Sequence, residues 1–201
     1  MNLSVLMNSL VEAFANTTFL EWLIFGTAMI YVALAAIENV WCWLFGIVSS
    51  ILSVYLCYSG QLFLESGLQV FYVAVGFYGW YEWLYGSPEK RNLTIQTSSL
   101  KQITIYIFIS CILWIPFGLI ANNYSTQALP YLDAFITAFS IVATWMVAKK
   151  KIENWLFWIV IDAAAIILYA KRDFYLIAFL YLIYTILAGL GYISWKKKLN
   201  A

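Results

Sequence analysis

The chain has 201 residues, of which 64% are hydrophobic and only 10% are charged. Soluble domains carry about 25% charged residues, so a soluble fold of this size would leave much apolar surface in contact with water. The composition therefore predicts an all-α integral membrane protein. Histidine is absent, which excludes catalysis by a Ser-His-Asp triad or a Cys-His pair. The sequence indicates neither a metal site nor a cofactor.

The net charge of +1 conceals an uneven distribution along the chain. Residues 1–89 contain six Glu and no Lys or Arg, whereas residues 90–201 contain all 11 basic residues and the remaining four acidic ones. The basic residues lie at the ends of apolar runs and not on one face, so the pattern does not indicate nucleic-acid binding. The N-terminal residues also lack the positive charge that a cleavable signal peptide needs.

Seven apolar runs are long enough to cross a membrane as helices, which requires about 20 residues each. They cover residues 19–37, 41–58, 62–84, 102–121, 129–148, 155–170 and 174–195. Because the connections between them are short, residues 1–201 are predicted to form a single transmembrane domain. The residues before the first run are predicted to form a weakly amphipathic segment at the membrane interface.

Lysine and arginine residues set the predicted orientation, because they concentrate in loops on the cytoplasmic side of a membrane. With seven spans, an outside N-terminus and a cytoplasmic C-terminus, only Lys171 and Arg172 lie outside. With six spans the two termini would share a side, and the later loops would disagree with the rule. The basic residues placed inside are Lys90, Arg91, Lys101, Lys149, Lys150, Lys151, Lys196, Lys197 and Lys198.

Two pairs of segments resemble each other and predict an internal repeat. Residues 38–43 and 153–158 both read E-N-x-x-x-W, at an offset of 115. At an offset of 112, the third and seventh spans match at five positions on one helical face: Gln69, Tyr72, Gly76, Gly79 and Trp83 against Tyr181, Tyr184, Ala188, Gly191 and Trp195. The matches predict two three-helix units, 19–84 and 129–195, joined by a linker helix at 102–121. Both units enter the membrane from the same side, so the repeat is predicted to be parallel, as in transporters that bind substrate between their halves.

Polar and ionisable side chains inside membrane spans are costly and mark candidate functional positions. Asp162 lies well inside the sixth span on one helical face with Trp155 and Trp158, and Asp133 begins a polar stripe in the fifth span that includes Ser140. The other candidates are Trp43 in the second span, Gln69 and Tyr72 in the third, Asn154 before the sixth and Tyr184 in the seventh. Aromatic rings stack on a heterocycle and attract a cation, and amides and hydroxyls bind a carboxamide or a sugar. The set therefore predicts a cavity for a flat, polar solute of vitamin, nucleoside or sugar size.

Three stretches, at residues 41–56, 68–83 and 149–195, carry a resemblance to a known family. They read WCWLFGIVSSILSVYL, LQVFYVAVGFYGWYEW and KKKIENWLFWIVIDAAAIILYAKRDFYLIAFLYLIYTILAGLGYISW. With the 3+1+3 helix order, the chain resembles the bacterial nicotinamide riboside transporter family known as PnuC. The resemblance implies a fold like that of the SWEET sugar transporters with an added linker helix, and members that can be homotrimers. It also implies facilitated diffusion of the vitamin across the inner membrane by alternating access, made one-way by a cytosolic kinase that phosphorylates it.

The sequence leaves two vitamins as candidate substrates. A sister branch of the family carries thiamine, and both vitamins contain a cationic aromatic ring; nicotinamide riboside is preferred. Asp162 stands at a position where the family commonly has Asn, which bears on the identity of the ligand. Other classes also compete: a membrane-embedded enzyme, for which only Asp133 and Asp162 would be available, a non-transporting receptor or assembly protein, and an ion channel, which the aromatic density disfavours.

Overall fold

The computed structural model describes residues 14–59, 63–86, 92–124 and 128–200. The predicted interfacial segment lies mostly outside these ranges, as do Lys90 and Arg91 of the predicted inner loop. Each of the seven predicted apolar runs coincides with one long helix. These helices are α1 (Phe19–Ala36), α2 (Cys42–Ser59), α3 (Phe63–Tyr85), α4 (Leu100–Tyr124), α5 (Pro130–Ala148), α6 (Asn154–Lys171) and α7 (Tyr175–Leu199).

Six of these helices, all except α3, are long and apolar enough to cross a membrane. Helix α3 has 23 residues and is long enough, but Gln69, Glu82 and its tyrosines make it less apolar than the others. Over the described residues the chain is therefore a helical, multi-pass membrane protein. A seventh crossing by α3, and with it the complete 3+1+3 arrangement, stays a prediction.

Side-chain caps fix where two of the helices begin. The Thr18 hydroxyl accepts a hydrogen bond from the Glu21 N–H (3.3 Å), while the Glu21 carboxylate accepts one from the Thr18 N–H (2.7 Å). Ser99 and Gln102 make the same reciprocal pair before α4. Such capping boxes satisfy N–H groups that have no partner within the helix. The local sequence thus determines these two starts without help from tertiary packing.

The helix boundaries repeat at a constant offset along the chain. Helices α2 and α6 both have 18 residues, and their first residues, 42 and 154, are 112 apart. Helices α1 and α5 end at residues 36 and 148, and α3 and α7 begin at residues 63 and 175. Each of these pairs is again 112 apart, so three consecutive helices recur with the same lengths of intervening turn.

The turns that end α1 and α5 confirm this register. Glu38 and Lys150 are also 112 residues apart, and both have positive φ angles, 66° and 48°. Their N–H groups donate to the carbonyls of Ala35 and Val147 at 2.9 Å in each case, which is the left-handed turn that commonly ends a helix. The E-N-x-x-x-W match at offset 115 is therefore out of structural register by three residues. Trp43 corresponds to Trp155, and not to Trp158.

Contacts divide the chain into two compact units that differ from the two halves of the repeat. One, called here the α4–α6 unit, comprises the described residues within 98–143 and 155–189 together with residues 14–17. The other, the α1–α3 unit, comprises the described residues within 18–97, 144–154 and 190–200. Helices α5 and α7 therefore contribute residues to both units.

Four aromatic rings form the centre of the α1–α3 unit. Tyr31, Trp43, Trp83 and Trp195 follow one another with ring-centroid distances of 6.0, 5.5 and 6.0 Å. The three tryptophans are at most 2% exposed. Edge-to-face and tilted ring pairs of this kind stabilise a core beyond the area that they bury.

Two of these tryptophans donate hydrogen bonds that are related by the repeat. The Trp83 indole N–H donates to the Val147 carbonyl (3.0 Å), and the Trp195 indole N–H donates to the Ala35 carbonyl (2.9 Å). The two donors are separated by the offset of the repeat, and so are the two acceptors. Each half of the repeat therefore donates from its third helix to the end of the first helix in the other half.

Helix α2 packs against α1 and α3, and glycines in α3 make the second of these contacts close. A Cβ atom at Gly79 would lie 2.4 Å from the ring of Trp43, and one at Gly76 would lie 2.6 Å from Ile47. Gly67 of the same helix faces open space. Gly79 is thus required by packing, which agrees with the frequency of small residues at helix contacts in membranes.

Charged side chains meet beside this aromatic core in a group called here the Lys150 cluster. It consists of Lys150, Glu38, Lys198 and the Leu93 carbonyl. The Lys150 ammonium is 2.7 Å from one Glu38 carboxylate oxygen and 2.6 Å from the Leu93 carbonyl, and it lies 4.6 Å from the centre of the Trp83 ring. Lys198 is 3.0 Å from the other Glu38 oxygen. Partial burial raises the pKa of Glu38, but hydrogen bonds and charge from the two lysines outweigh it, so the pKa lies below its ordinary value.

We expect Gly79→Ala to destabilise the protein by about 1–3 kcal/mol, because the added methyl group overpacks the contact with Trp43. Gly67→Ala is the matched control in the same helix, and it should be neutral or stabilising because alanine favours helix more than glycine does. Thermal unfolding of the purified protein in detergent measures both. Equal unfolding temperatures for the two variants would contradict the close approach at Gly79.

We expect the stability that Glu38 provides to disappear in acid. Its pKa is lowered in the folded state, so its contribution is complete above the unfolded value of about 4.3 and is lost as pH falls through the folded value. Glu38→Gln should therefore be less stable than the parent at neutral pH, and the difference should shrink below about pH 4. Glu21→Gln, which keeps a capping box, serves as the control in the same pH series of unfolding measurements. A constant difference between Glu38→Gln and the parent over that range would disprove the assignment.

Candidate functional site

Asp162 is a buried carboxylate in the interior of α6. Its side chain is 3% exposed, and among the described residues no hydrogen bond or ion pair to it is found. Tyr184 of α7 lies within electrostatic range of this carboxylate. A charged group in the membrane interior normally pairs with a partner or marks a ligand pathway. Asp162 is therefore placed to receive a proton or a cationic ligand.

The two tryptophans on the Asp162 face of α6 differ in their surroundings. Trp155 is 2% exposed, whereas Trp158, one turn before Asp162, is partly exposed. An indole that is partly exposed next to an unpaired carboxylate can stack on a ligand without unpacking the core. Of the two, Trp158 is therefore better placed to meet a ligand.

Aromatic rings connect α4, α5 and α6 within the α4–α6 unit. Trp114 and Phe135 are 5.5 Å apart, Phe135 and Phe139 are 4.2 Å apart, and Phe139 and Phe157 are 6.2 Å apart, measured between ring centroids. Ser140, which follows Phe139 in α5, is 5% exposed. The predicted polar stripe of α5 is thus buried at Ser140, beside a rigid aromatic framework.

Asp133 pairs with Arg172. No contact between Asp133 and Asp162 is found among the described residues. The Arg172 guanidinium is 2.8 Å from the Asp133 carboxylate and also donates to the Ala128 carbonyl at 2.9 and 3.1 Å. This ion pair fastens the end of α6 to the start of α5. Asp133 thus has a structural partner, whereas Asp162 has none of this kind.

Trp43 and Asn154, both in the α1–α3 unit, are fully buried and incompletely hydrogen-bonded. The Asn154 amide group donates to the Lys151 carbonyl at 2.6 Å. Its side-chain oxygen and the Trp43 indole N–H have no hydrogen-bond partner among the described residues. A buried polar atom without a partner costs about 1–3 kcal/mol, so these two atoms are exceptions in an otherwise well-paired core.

Gln69 and Tyr72 of α3 are partly exposed. Tyr31 of α1 was not among the sequence candidates, but it lies in the same unit. Its ring occupies the space over Gly46, where an added Cβ would be 2.9 Å from Cδ2 of Tyr31. No hydrogen-bond partner of its hydroxyl is found in the described part of the chain. At the offset of 112, Gly46 corresponds to Trp158, and this Gly-for-Trp exchange is the sequence signal that could have pointed to Tyr31.

The chemistry of these residues is that of binding. Among the described residues no group of three or more His, Cys, Asp and Glu side chains could hold a metal ion, and none of Cys42, Cys57 and Cys111 is part of a disulfide bond. The residues offer aromatic faces, amides, hydroxyls and one carboxylate without an ion-pair partner. Such groups can bind a flat, polar and cationic molecule without reacting with it.

Comparison with known proteins gives a consistent result. The model of the nicotinamide mononucleotide transporter family matches residues 18–197. The nicotinamide riboside transporter PnuC of Escherichia coli strain K12 is 24% identical over an alignment of 192 residues, which covers 83% of this chain and 80% of that protein. A crystal structure of the vitamin B3 transporter PnuC matches with a TM-score of 0.72 and 25% identity, over 97% of this chain and 88% of the other.

A third relative is named as a transporter of a different vitamin. The riboflavin/roseoflavin transporter RibM of Streptomyces davaonensis is 24% identical over 170 residues, which covers 83% of this chain and 79% of that protein. The matching family and the matching structure are of transporters and not of enzymes. Together they show that the chain is a vitamin transporter.

Proposed function

The chain belongs to the nicotinamide mononucleotide transporter family, and we propose that it carries nicotinamide riboside across a bacterial inner membrane. The observation that supports this substrate most directly is the Asp162 carboxylate, which is buried in α6 and has no ion pair or hydrogen bond to any residue that the structure describes. Nicotinamide riboside contains a permanently cationic pyridinium ring, a carboxamide and a ribose. The cationic ring provides the positive partner that the negatively charged carboxylate lacks among the described residues.

Each candidate residue is proposed to bind the part of the vitamin that its chemistry suits. The pyridinium ring stacks on Trp158 or Trp155, and Asp162 balances its charge. Tyr184, in the same compact unit as these three residues, supplies a polar contact. Gln69, Tyr72, Trp43 and Asn154 stay predictions from the sequence. Ser140 completes the site in preference to Asp133, because Asp133 is already paired with Arg172.

Transport is proposed to proceed by alternating access, in which the two halves of the repeat move around the bound vitamin. One half consists of helices α1, α2 and α3, and the other of helices α5, α6 and α7. Helix α4 links them, in a 3+1+3 arrangement of seven spans like that of the SWEET transporters. The constant offset of 112 between corresponding helix boundaries supports the repeat. A parallel repeat of this kind supports a substrate site near the middle of the membrane.

The proposed orientation places the N-terminus outside and the C-terminus in the cytoplasm. Lys150 and Lys198 share the partner Glu38, which supports placing the loop after α5 and the C-terminus on the same side. Arg172, an exception to the inside rule, is neutralised by Asp133. Paired in this way, Arg172 no longer carries a free charge that would oppose the orientation.

The direction of uptake is proposed to come from metabolism and not from a coupled ion. The vitamin enters by facilitated diffusion, and a separate cytosolic kinase phosphorylates it so that it cannot leave. The functional assembly is proposed to be a homotrimer in the lipid bilayer.

Thiamine is the second candidate substrate, because its thiazolium ring is also cationic and would satisfy Asp162 equally well. Riboflavin fits this observation less well, since its ring system is neutral. The relative RibM nevertheless shows that members with the same level of identity differ in the vitamin they carry. Direct competition between the three vitamins therefore decides the substrate.

We expect proteoliposomes that contain the purified protein and an enclosed nicotinamide riboside kinase with ATP to accumulate labelled nicotinamide riboside. Accumulation should require both the transporter and the kinase, because facilitated diffusion alone only equalises concentrations. Unlabelled thiamine and riboflavin are added as competitors. Strong competition by thiamine, with no accumulation of nicotinamide riboside, would transfer the assignment to thiamine.

We expect Asp162→Asn and Trp158→Ala each to weaken binding of nicotinamide riboside by about tenfold or more, because each removes roughly 1–2 kcal/mol of ion-pair or cation–π interaction. Asp173→Asn, at an exposed residue beside Tyr175, and Trp22→Ala, at an exposed residue in the first turn of α1, are the matched controls. Isothermal titration of the purified variants measures the affinities. Near-parental affinity in either test variant would remove that residue from the site.

A further inference from the structure

The Lys150 cluster has no part in the proposed binding of the vitamin, yet it ties the two halves of the repeat together. Glu38 follows the first helix of the first half, Lys150 follows the first helix of the second half, and Lys198 ends the third helix of the second half. All three lie in one compact unit. Two ion pairs, at 2.7 and 3.0 Å from the same carboxylate, therefore join the halves.

Further contacts join the halves at the same place. The indole N–H groups of Trp83 and Trp195 donate across the repeat to the ends of α5 and α1. Lys149, next to Lys150, makes an additional ion pair of 2.7 Å with Glu82 of α3. The helix ends α1, α3, α5 and α7 are thus linked through side chains.

The segment that follows α3 adds a backbone tie. The Leu93 N–H donates to the Trp83 carbonyl (3.1 Å) in the first half. Three residues later, Gln96 exchanges backbone hydrogen bonds with the loop between α5 and α6, donating to the Lys150 carbonyl and accepting from the Ile152 N–H, at 3.0 Å each. Lys150 reaches the Leu93 carbonyl as well. This segment therefore crosses from one half to the other and fastens both.

We propose that the Lys150 cluster and the 92–97 segment form a gate that closes the cytoplasmic end of the substrate pathway, and that release of Lys150 from Glu38 opens it. This inference rests on the proposed alternating access, which requires the halves to separate at one end at a time. The halves cannot separate here while one carboxylate holds both lysines.

The chemistry of the tie suits a gate that opens and closes repeatedly. A buried ion pair contributes little net stability, because water solvates both charges well when they separate. A transporter needs two conformations of similar free energy, so that it can pass repeatedly from one to the other.

The native thiol of Cys42 offers a probe for this gate. Cys42 is fully buried, and its N–H donates to the Asn39 carbonyl in the turn that carries Glu38. In a Cys57→Ser, Cys111→Ser background it is the one remaining thiol of the sequence. Its rate of modification by a maleimide in the purified protein reports how often this turn opens.

We expect Lys150→Met and Glu38→Gln each to raise the modification rate of Cys42 by about tenfold, because each removes an ion pair that holds the closed state. Lys196→Met is the matched control: it also replaces one lysine by methionine, two residues before Lys198, but Lys196 contacts the Tyr192 ring of its own helix. Two test variants are used so that poor folding of one leaves the other informative.

Parental modification rates in both folded test variants would overturn the gate. An equal rise in Lys196→Met would also overturn it, because it would show general loosening and not a specific release. Binding of nicotinamide riboside, measured in parallel, separates this inference from the proposed function. Absence of binding in the parent disproves the proposed substrate, whereas normal binding with unchanged Cys42 reactivity disproves the gate.

Discussion

The structure depends on hydrogen bonds that Trp83 and Trp195 donate from one half of the repeat to the other. Inside a membrane, helix ends and indole N–H groups cannot turn to water for partners. Each indole meets this constraint by reaching the carbonyl near the end of a helix in the opposite half. Because the donors and the acceptors both recur at the offset of the repeat, the same kind of hydrogen bond satisfies the carbonyl at the end of α5 and the carbonyl at the end of α1. The aromatic core, the turns at Glu38 and Lys150 and the charged cluster beside them are arranged around these two bonds.

The same constraint separates structural polar groups from the one that is free to bind. Glu38, Glu82 and Asp133 are all paired with lysine or arginine within hydrogen-bond distance. Asp162, which is more buried than any of them, has no such pair among the described residues. A buried charge without an ion pair is costly in free energy, and in membrane proteins such a charge usually marks a functional position. The contrast between paired and unpaired acids therefore identifies Asp162 more strongly than its place in a helix does.

The repeat also explains why the two halves are not chemically equivalent. At the correct register, Trp158 corresponds to Gly46 and Asp162 corresponds to Ser50. The first half fills the space at Gly46 with the ring of Tyr31, brought from α1. Corresponding positions thus carry different chemistry on the same backbone plan. One fold can host different functions, because function lies in the side chains of a site and not in the order of the helices.

The sequence by itself determined the class of the protein and nearly all helix positions, because apolar runs of about 20 residues have few alternatives to a membrane helix. Caps at Thr18 and Ser99 are local and could be read directly. The sequence analysis predicted α3 as a span like the other six, but Gln69 and Glu82 make α3 less apolar than the six helices that qualify as spans. The sequence offered two offsets for the repeat, 115 and 112, and the structure decided in favour of 112, because the turn geometry at Glu38 and Lys150 is a match of backbone, whereas E-N-x-x-x-W is a match of residue types. Tertiary structure also decided which acids are paired, since Arg172 reaches Asp133 across 39 residues and Lys150 reaches Glu38 across 112, and no spacing rule connects residues so far apart.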